Sequence, residues 1–354
     1  MSFRKWPAVA CAVVLVGGVA GAAGAREQAN PYTVHALVSD DPSVPAPTTD
    51  ANLVNGWGLS DGPTTPWWSS NNGTNTSTLY SGAGSKVALT VAVAGGPTGT
   101  VFNGNAADFV VSQNGKSGGA RFLFANEAGQ ILGWSPTVNG TAALVGADSS
   151  SAGAVYKGLT IANGRLYATD FHNGRVDVFD RTFAKVSLPF ADAKIPKGFA
   201  PFGIQALGTS IFVTYAKQDS DAKDDVPGGG AGYVDQYSLD GQLIARVASG
   251  GRKNAPPNAP WGLALAPASF GVFSGDLLIG NFGNGRISAY QDRGGGKWVY
   301  KGQLRHGDQS LVTIDGLWAI AFGNGAAAGP TTSLYFAAGP AGETHGRFGS
   351  ITAG

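Results

Sequence analysis

The residues best suited to chemistry in this sequence are carboxylates, carboxamides, lysines and histidines that fall beside tight turns. They are Asp50, Asn52, Asn55, Asn71 and Asn72 early in the chain, Glu127, Lys157, Asp170, His172, Lys217 and Asp219 in its middle, and Asn258, Asn281, Asp315, Glu343 and His345 towards its end. Oxygen donors of this kind suit a hard cation, with Ca²⁺ the natural cofactor if Asp50, Asp170, Asn281 and Asp315 converge. A carboxylate beside an imidazole, as in Asp170 and His172, suits general acid and base work. The third use is ligand recognition, for which Asn55, Asn71, Glu127, Asp170, His172, Lys217, Asn281, Asp315, Glu343 and His345 are the candidates. Asp and Asn are also favoured in turns because their side chains bond the local backbone, so each residue alone is accounted for by turn chemistry. Only a fold that gathers them can make them a site.

Two further groups carry a functional and a structural reading. Asp219, Asp221, Asp224 and Asp225 place four carboxylates in seven residues. Their spacing lacks the glycine and glutamate of an EF-hand loop, so a solvated loop neutralised by Lys217 and Lys223 is the expectation. Trp57, Trp261 and Trp318 recur at equivalent strand positions, which points to packing between repeats. Trp67 and Trp68 are adjacent, so strand alternation sends one to each face.

The elements that must position these residues read as short β-strands. Residues 156–180, YKGLTIANGRLYATDFHNGRVDVFD, hold three apolar runs separated by Asn163-Gly164 and by His172-Asn173-Gly174. Asn-Gly supplies the positive φ of hairpin turns, and Val, Leu, Tyr and Phe suit a pleated surface. Comparable triplets of strands start near Asn55, Asp108, Pro201, Pro260 and Asp315, with a fourth run after most of them, as in KVALTVAV from Lys86. Six copies at intervals of roughly 45 to 60 residues fall in the range of propeller repeats. The fold expected is therefore all-β, a six-bladed β-propeller with four-stranded blades over about 52–95, 98–147, 155–192, 199–250, 258–306 and 313–354. The last copy is one strand short, and YTVHALVS at 32–39 belongs to no repeat, so the N-terminal strand is expected to complete the last blade and close the ring. The polar, glycine-rich stretch 217–232 reads as a surface loop.

Composition narrows the function classes. With 55 glycines, 43% hydrophobic and only 13% charged residues, the chain is turn-rich and able to build a core. A formal net charge of +1 provides no field to recruit nucleic acid, and no basic patch interleaved with aromatics does so locally. Residues 1–25 read as a secretory signal peptide, with Arg4 and Lys5 ahead of an apolar run and Ala23-Gly24-Ala25 as cleavage site. Its removal takes away Cys11, the single cysteine. The expectation is a mature chain, secreted or periplasmic, without disulfides, thiolate metal sites or a membrane anchor, in which 26–51 form the closing strand and linker. The sequence has no HExxH and no P-loop.

Residues 168–180 follow the pattern of the NHL repeat, an apolar strand, an Asp, an Asn-Gly-Arg turn and an aromatic-ended strand. The whole mature chain also resembles a family of secreted bacterial propeller proteins of unknown function. The marks are LVSD at 37–40, TDANLVNGWGL at 49–59, VTYAKQD at 213–219, NAPWGLALAPASFGVFSGDLLIGNFGNGRI at 258–287, IDGLWAIAFGNG at 314–325 and FGSIT at 348–352. The resemblance implies a fold and an export route and no reaction. On the funnel face of a propeller the candidate residues would serve a binding scaffold for a small molecule, glycan or protein partner. The alternative is a Ca²⁺-dependent lactonase-like hydrolase or lyase with its site at the same face.

Overall fold

The computed structural model describes residues 31–354; the expected signal peptide lies outside them. Six antiparallel sheets, in sequence order around an axis, make the blades. From axis to rim, blade one is Gly56–Ser60, Trp67–Asn71, Thr76–Tyr80 and Lys86–Ala92. The inner strands of blades two to six are Pro97–Phe102, Tyr156–Ala162, Phe199–Leu207, Pro260–Leu265 and Leu317–Phe322. Each inner strand contacts the next around the ring, and that of blade six returns to that of blade one.

The ring closes as its strand count requires. Tyr32–Ser39 pairs antiparallel with Arg347–Ala353, from Tyr32 opposite Ala353 to Ser39 opposite Arg347, and becomes the fourth strand of blade six. Tyr32 anchors this seam: its ring packs 5.0 Å from that of Phe270 and its hydroxyl donates to the Phe270 carbonyl at 3.0 Å.

Every blade has a register shift between its inner and second strands, a bulge at or beside the third inner residue. A recurring glycine sits there because the neighbouring backbone approaches too closely for a side chain. A Cβ on Gly203 would stand 2.1 Å from the Trp261 carbonyl, and one on Gly58 2.3 Å from that of Thr98.

Blade two departs from the sequence expectation. Its inner strand is Pro97–Phe102, whereas Val110–Gln113, expected to be that strand, pairs with Lys116–Gly119 in a separate hairpin. PTGTVF is poor in large apolar residues, but Gly99 gives it the close approach an inner strand needs: a Cβ there would meet the Leu159 nitrogen at 2.5 Å. Trp67 and Trp68 do point to opposite sides, Trp67 to Tyr335 of blade six and Trp68 to Phe122 of blade two.

Candidate functional site

The ring orders two sets of positions around the axis on the face where inner strands begin, here the upper face. One set is the residue before the recurring inner-strand glycine or its Ala319 equivalent: Trp57, Thr98, Lys157, Phe202, Trp261 and Trp318. The other follows the end of each second strand and includes Asn72, Glu127, Phe171 and Phe282. Between them they build a hub.

The aromatic members form its floor. Trp57 and Phe282 stack on opposite sides of Trp318, each with centroids 3.8 Å from it, while Phe202 and Trp261 meet Trp318 edge-on. The three tryptophans thus pack between repeats, as expected: Trp318 of blade six meets Trp57 of blade one and Trp261 of blade five, its two neighbours in the ring. Stacked and edge-on rings bury large areas and satisfy their quadrupoles together.

Lys157 is the one cation in this set of inner positions. Its side chain is fully buried, with Nζ donating to Glu127 Oε1 at 2.6 Å and to Asp224 Oδ1 at 2.9 Å, and standing 4.8 Å from the Trp57 ring centroid. Burial opposes the ammonium, but Glu127 and Asp224 outweigh it and lift the Lys157 pKa above the usual value. Asn72 Nδ2 donates to the second Glu127 oxygen at 2.9 Å. Asn55, buried with φ of 48°, donates to Glu343 Oε2 at 2.7 Å and accepts from Trp318 Nε1 at 2.8 Å. Burial raises the Glu343 pKa, against the opposing pull of the Asn55 amide and Lys157.

The loop over residues 217–232 closes this hub as a lid. Most of its acidic run is exposed, as expected of a solvated loop, with Asp221 and Asp224 open to water and Asp225 turned inward. Val226 N donates to the Lys217 carbonyl, Gln218 Nε2 to the Phe171 carbonyl, and Gly228 N to Asn258 Oδ1. Among the described residues Asp224 alone of its acids forms a salt bridge, and its partner is Lys157 of blade three, neither Lys217 nor Lys223. Asp225 Oδ2 is buried with no hydrogen-bond partner among the described residues. Burial, partly offset by Lys157 and reinforced by Glu343, pushes the Asp225 pKa up to about 7. Four carboxyl groups, from Glu127, Asp224, Asp225 and Glu343, thus share the field of one ammonium.

A raised carboxyl pKa means that the folded chain holds a proton that the unfolded chain releases. Stability is therefore lost as pH rises from the usual carboxylate range, near 4, through about 7. Asp225→Asn is expected to remove that loss and to stabilise the fold by about 1 kcal/mol at pH 8, with little effect at pH 5. Urea midpoints of both proteins at the two pH values check it; a destabilised variant at pH 8 would contradict this reading of Asp225.

The remaining candidates fall elsewhere. Asn71, Asp170 and Asn281 each end a second strand and serve the turn that follows. Asn71 donates to Thr78 Oγ1, Asp170 accepts from Asn173 and faces Arg175, and Asn281 accepts from Asn258 N and donates to the Arg286 carbonyl. Recurrence at one repeat position explains Asp170 as a turn residue. His172 is exposed and Lys217 is exposed at the base of the lid. Asp315 is exposed and accepts from Ala341 N. His345 Nδ1 lies 2.9 Å from Asp40 Oδ2, beside the closing strand. Asp50 is buried against Lys86 at 2.7 Å and the Tyr80 hydroxyl at 2.7 Å. The proposed Ca²⁺ donors Asp50, Asp170, Asn281 and Asp315 are thus engaged in separate turns, and among the described residues no three acidic, His or Cys side chains are arranged to hold a metal. The donor set does not fit Ca²⁺.

Fold and hub together define a six-bladed β-propeller with a lidded, charged centre on its upper face. The chain belongs to the family of uncharacterized protein L690 of Acanthamoeba polyphaga mimivirus, with 31% identity over 314 residues, 84% of this chain and 80% of that protein. Uncharacterized protein R648 of the same virus is 29% identical over 314 residues, covering 84% and 75%. These relatives are viral, not secreted bacterial proteins. No family model matches the chain. Among solved structures, a glucose dehydrogenase superposes with a TM-score of 0.52 at 12% identity, covering 91% of this chain and 100% of that one. Virginiamycin B lyase from Staphylococcus aureus gives 0.51 at 10%, covering 91% and 99%. At such identity the likeness is one of fold alone. No helix among the described residues is long and apolar enough to cross a membrane.

Proposed function

We propose that this chain is a binding scaffold whose upper hub takes a small organic cation, an amine or a guanidinium, beneath the 217–232 lid. The observation that carries the reading is the charge imbalance at Lys157, where four carboxyls face one ammonium and Asp225 Oδ2 has no partner. A buried carboxyl oxygen left without a donor, as Asp225 Oδ2 is, is unfavourable, and a ligand bearing N–H⁺ groups supplies one. Stacked rings below the ammonium offer a flat apolar floor for the rest of such a ligand. A Ca²⁺-dependent hydrolase is less well supported, because the carboxylates converge on the chain's own ammonium.

Thermal melts in the presence of chelator provide the test. Agmatine and arginine are expected to raise the melting temperature of the wild type, while citrate and glucose leave it unchanged. Glu127→Gln is expected to abolish the shift. Stabilisation by citrate instead of agmatine, or by Ca²⁺ alone, would overturn the reading.

Export is part of the same proposal. The arrangement of Arg4, Lys5, the apolar run and Ala23-Gly24-Ala25 supports it. Expression of the full chain in a bacterium should give a product beginning at Arg26; an intact N-terminus in the cytoplasm would contradict it.

A further inference from the structure

The lower mouth of the channel is open and chemically unlike the hub. A cavity of about 390 Å³ lies between the second halves of all six inner strands, including Leu59, Leu159, Ile204, Leu263 and Ile320. That volume is within the range of small-molecule sites, about 300–1,000 Å³, which are mostly apolar with a few placed polar groups. Asp61 is the only ionisable side chain in its lining. It has no salt-bridge partner among the described residues, and only its own backbone N–H and the Asn324 amide oppose the rise in its pKa that burial causes. The guanidinium of Arg121 lies 5.0 Å from the ring of Phe102, which lines the cavity, and makes no ion pair with Asp61.

An uncompensated carboxylate at the edge of an apolar cavity selects for a ligand with a matching division, an apolar body and one cationic head. We infer that the lower cavity binds a lipophilic amine, its hydrocarbon or aromatic part among the inner-strand side chains and its ammonium on Asp61. The stack of Trp57, Trp318 and Phe282 stands between this cavity and the upper hub, so the two mouths carry separate sites. This inference does not rest on the ligand proposed for the hub.

Calorimetry with phenethylamine tests it. The wild type is expected to bind one equivalent at millimolar concentration, and Asp61→Asn to weaken that binding about tenfold, the loss of one charge-assisted contact. Phenethyl alcohol, which keeps the body and lacks the charge, should bind weakly and equally to both. Ala206→Phe, which fills the cavity and leaves Asp61 in place, should also block binding. Glu127→Gln should bind phenethylamine like the wild type, which separates this site from the hub. The inference is overturned if the wild type does not bind, if Asp61→Asn or Ala206→Phe binds unchanged, or if Glu127→Gln removes the binding. Thermal melts of each variant confirm that the fold is retained.

Discussion

Removal of residues 31–39 is expected to destroy the cooperative unfolding of the propeller. The deletion strips blade six of its outer strand and leaves the Arg347–Ala353 edge without its partner. Tyr32 and Val38, at 1% and 0% exposure, leave the core with it. Two such side chains, at about 1.5–3 kcal/mol each, together with the lost ladder hydrogen bonds, amount to at least about 5 kcal/mol, comparable with the whole stability of many domains. The freed edge is also a template for pairing with another copy, so aggregation should accompany the loss. Thermal melts and sedimentation measure both effects. A truncated protein that melts like the wild type and stays monomeric would contradict closure by this strand. Adding the peptide over 30–41 in trans should restore part of the transition.

Lys157→Met should be the most damaging single substitution at the axis. Methionine keeps much of the side-chain length and its apolar packing on Trp57 but leaves Glu127, only 18% exposed, without its cation. Breaking a buried pair by removing one member typically costs about 3–5 kcal/mol; the partial exposure of Glu127 favours the lower end, about 3 kcal/mol. The contact with Asp224, 59% exposed, adds little because water screens it. Two further outcomes follow from the geometry. The double variant Lys157→Met with Glu127→Gln should recover a large part of the loss, since it removes the stranded charge. The lid, no longer tied through Asp224, should be cut faster by protease within 217–232. Urea denaturation and limited proteolysis check both. A single variant within about 0.5 kcal/mol of the wild type would show that the ammonium does not hold the hub together.

Blades, turns and ring closure were legible in the sequence because they rest on local signals. Asn-Gly turns, alternating strands and a strand left over at one end each lie within a few residues of the structure they specify. Blade two departs from the local signals. The apolar DFVV run looked more strand-like than PTGTVF, yet the inner position demanded Gly99, and the apolar run folded into an added hairpin. The centre of the hub was less legible still. Trp318 bonds Asn55 across 263 residues, and Lys157 bonds Asp224 across 67, contacts that exist only after the ring has closed. One local sign was available, the residue before each inner-strand glycine. It is aromatic in blades one, four and five, and a lysine in blade three. The repeat shows Asp170 to occupy the same turn position as Asn71 and Asn281, while the lysine that pairs with Asp224 lies in another blade, outside the reach of the acidic run itself.

On the proposed reading an organic cation enters the field of Glu127, Asp224, Asp225 and Glu343. With the Asp225 pKa near 7, a cation bound beside it favours the ionised carboxylate and expels the proton. Calorimetric titration of agmatine into the chelated protein at pH 7, in phosphate and again in Tris, measures that exchange directly. The predicted result is a binding heat that differs between the buffers by the ionisation heat of up to about one proton, with affinity rising from pH 6 to pH 8 and the buffer dependence absent in Asp225→Asn. No binding of agmatine, or a heat identical in both buffers and unchanged in Asp225→Asn, would contradict it.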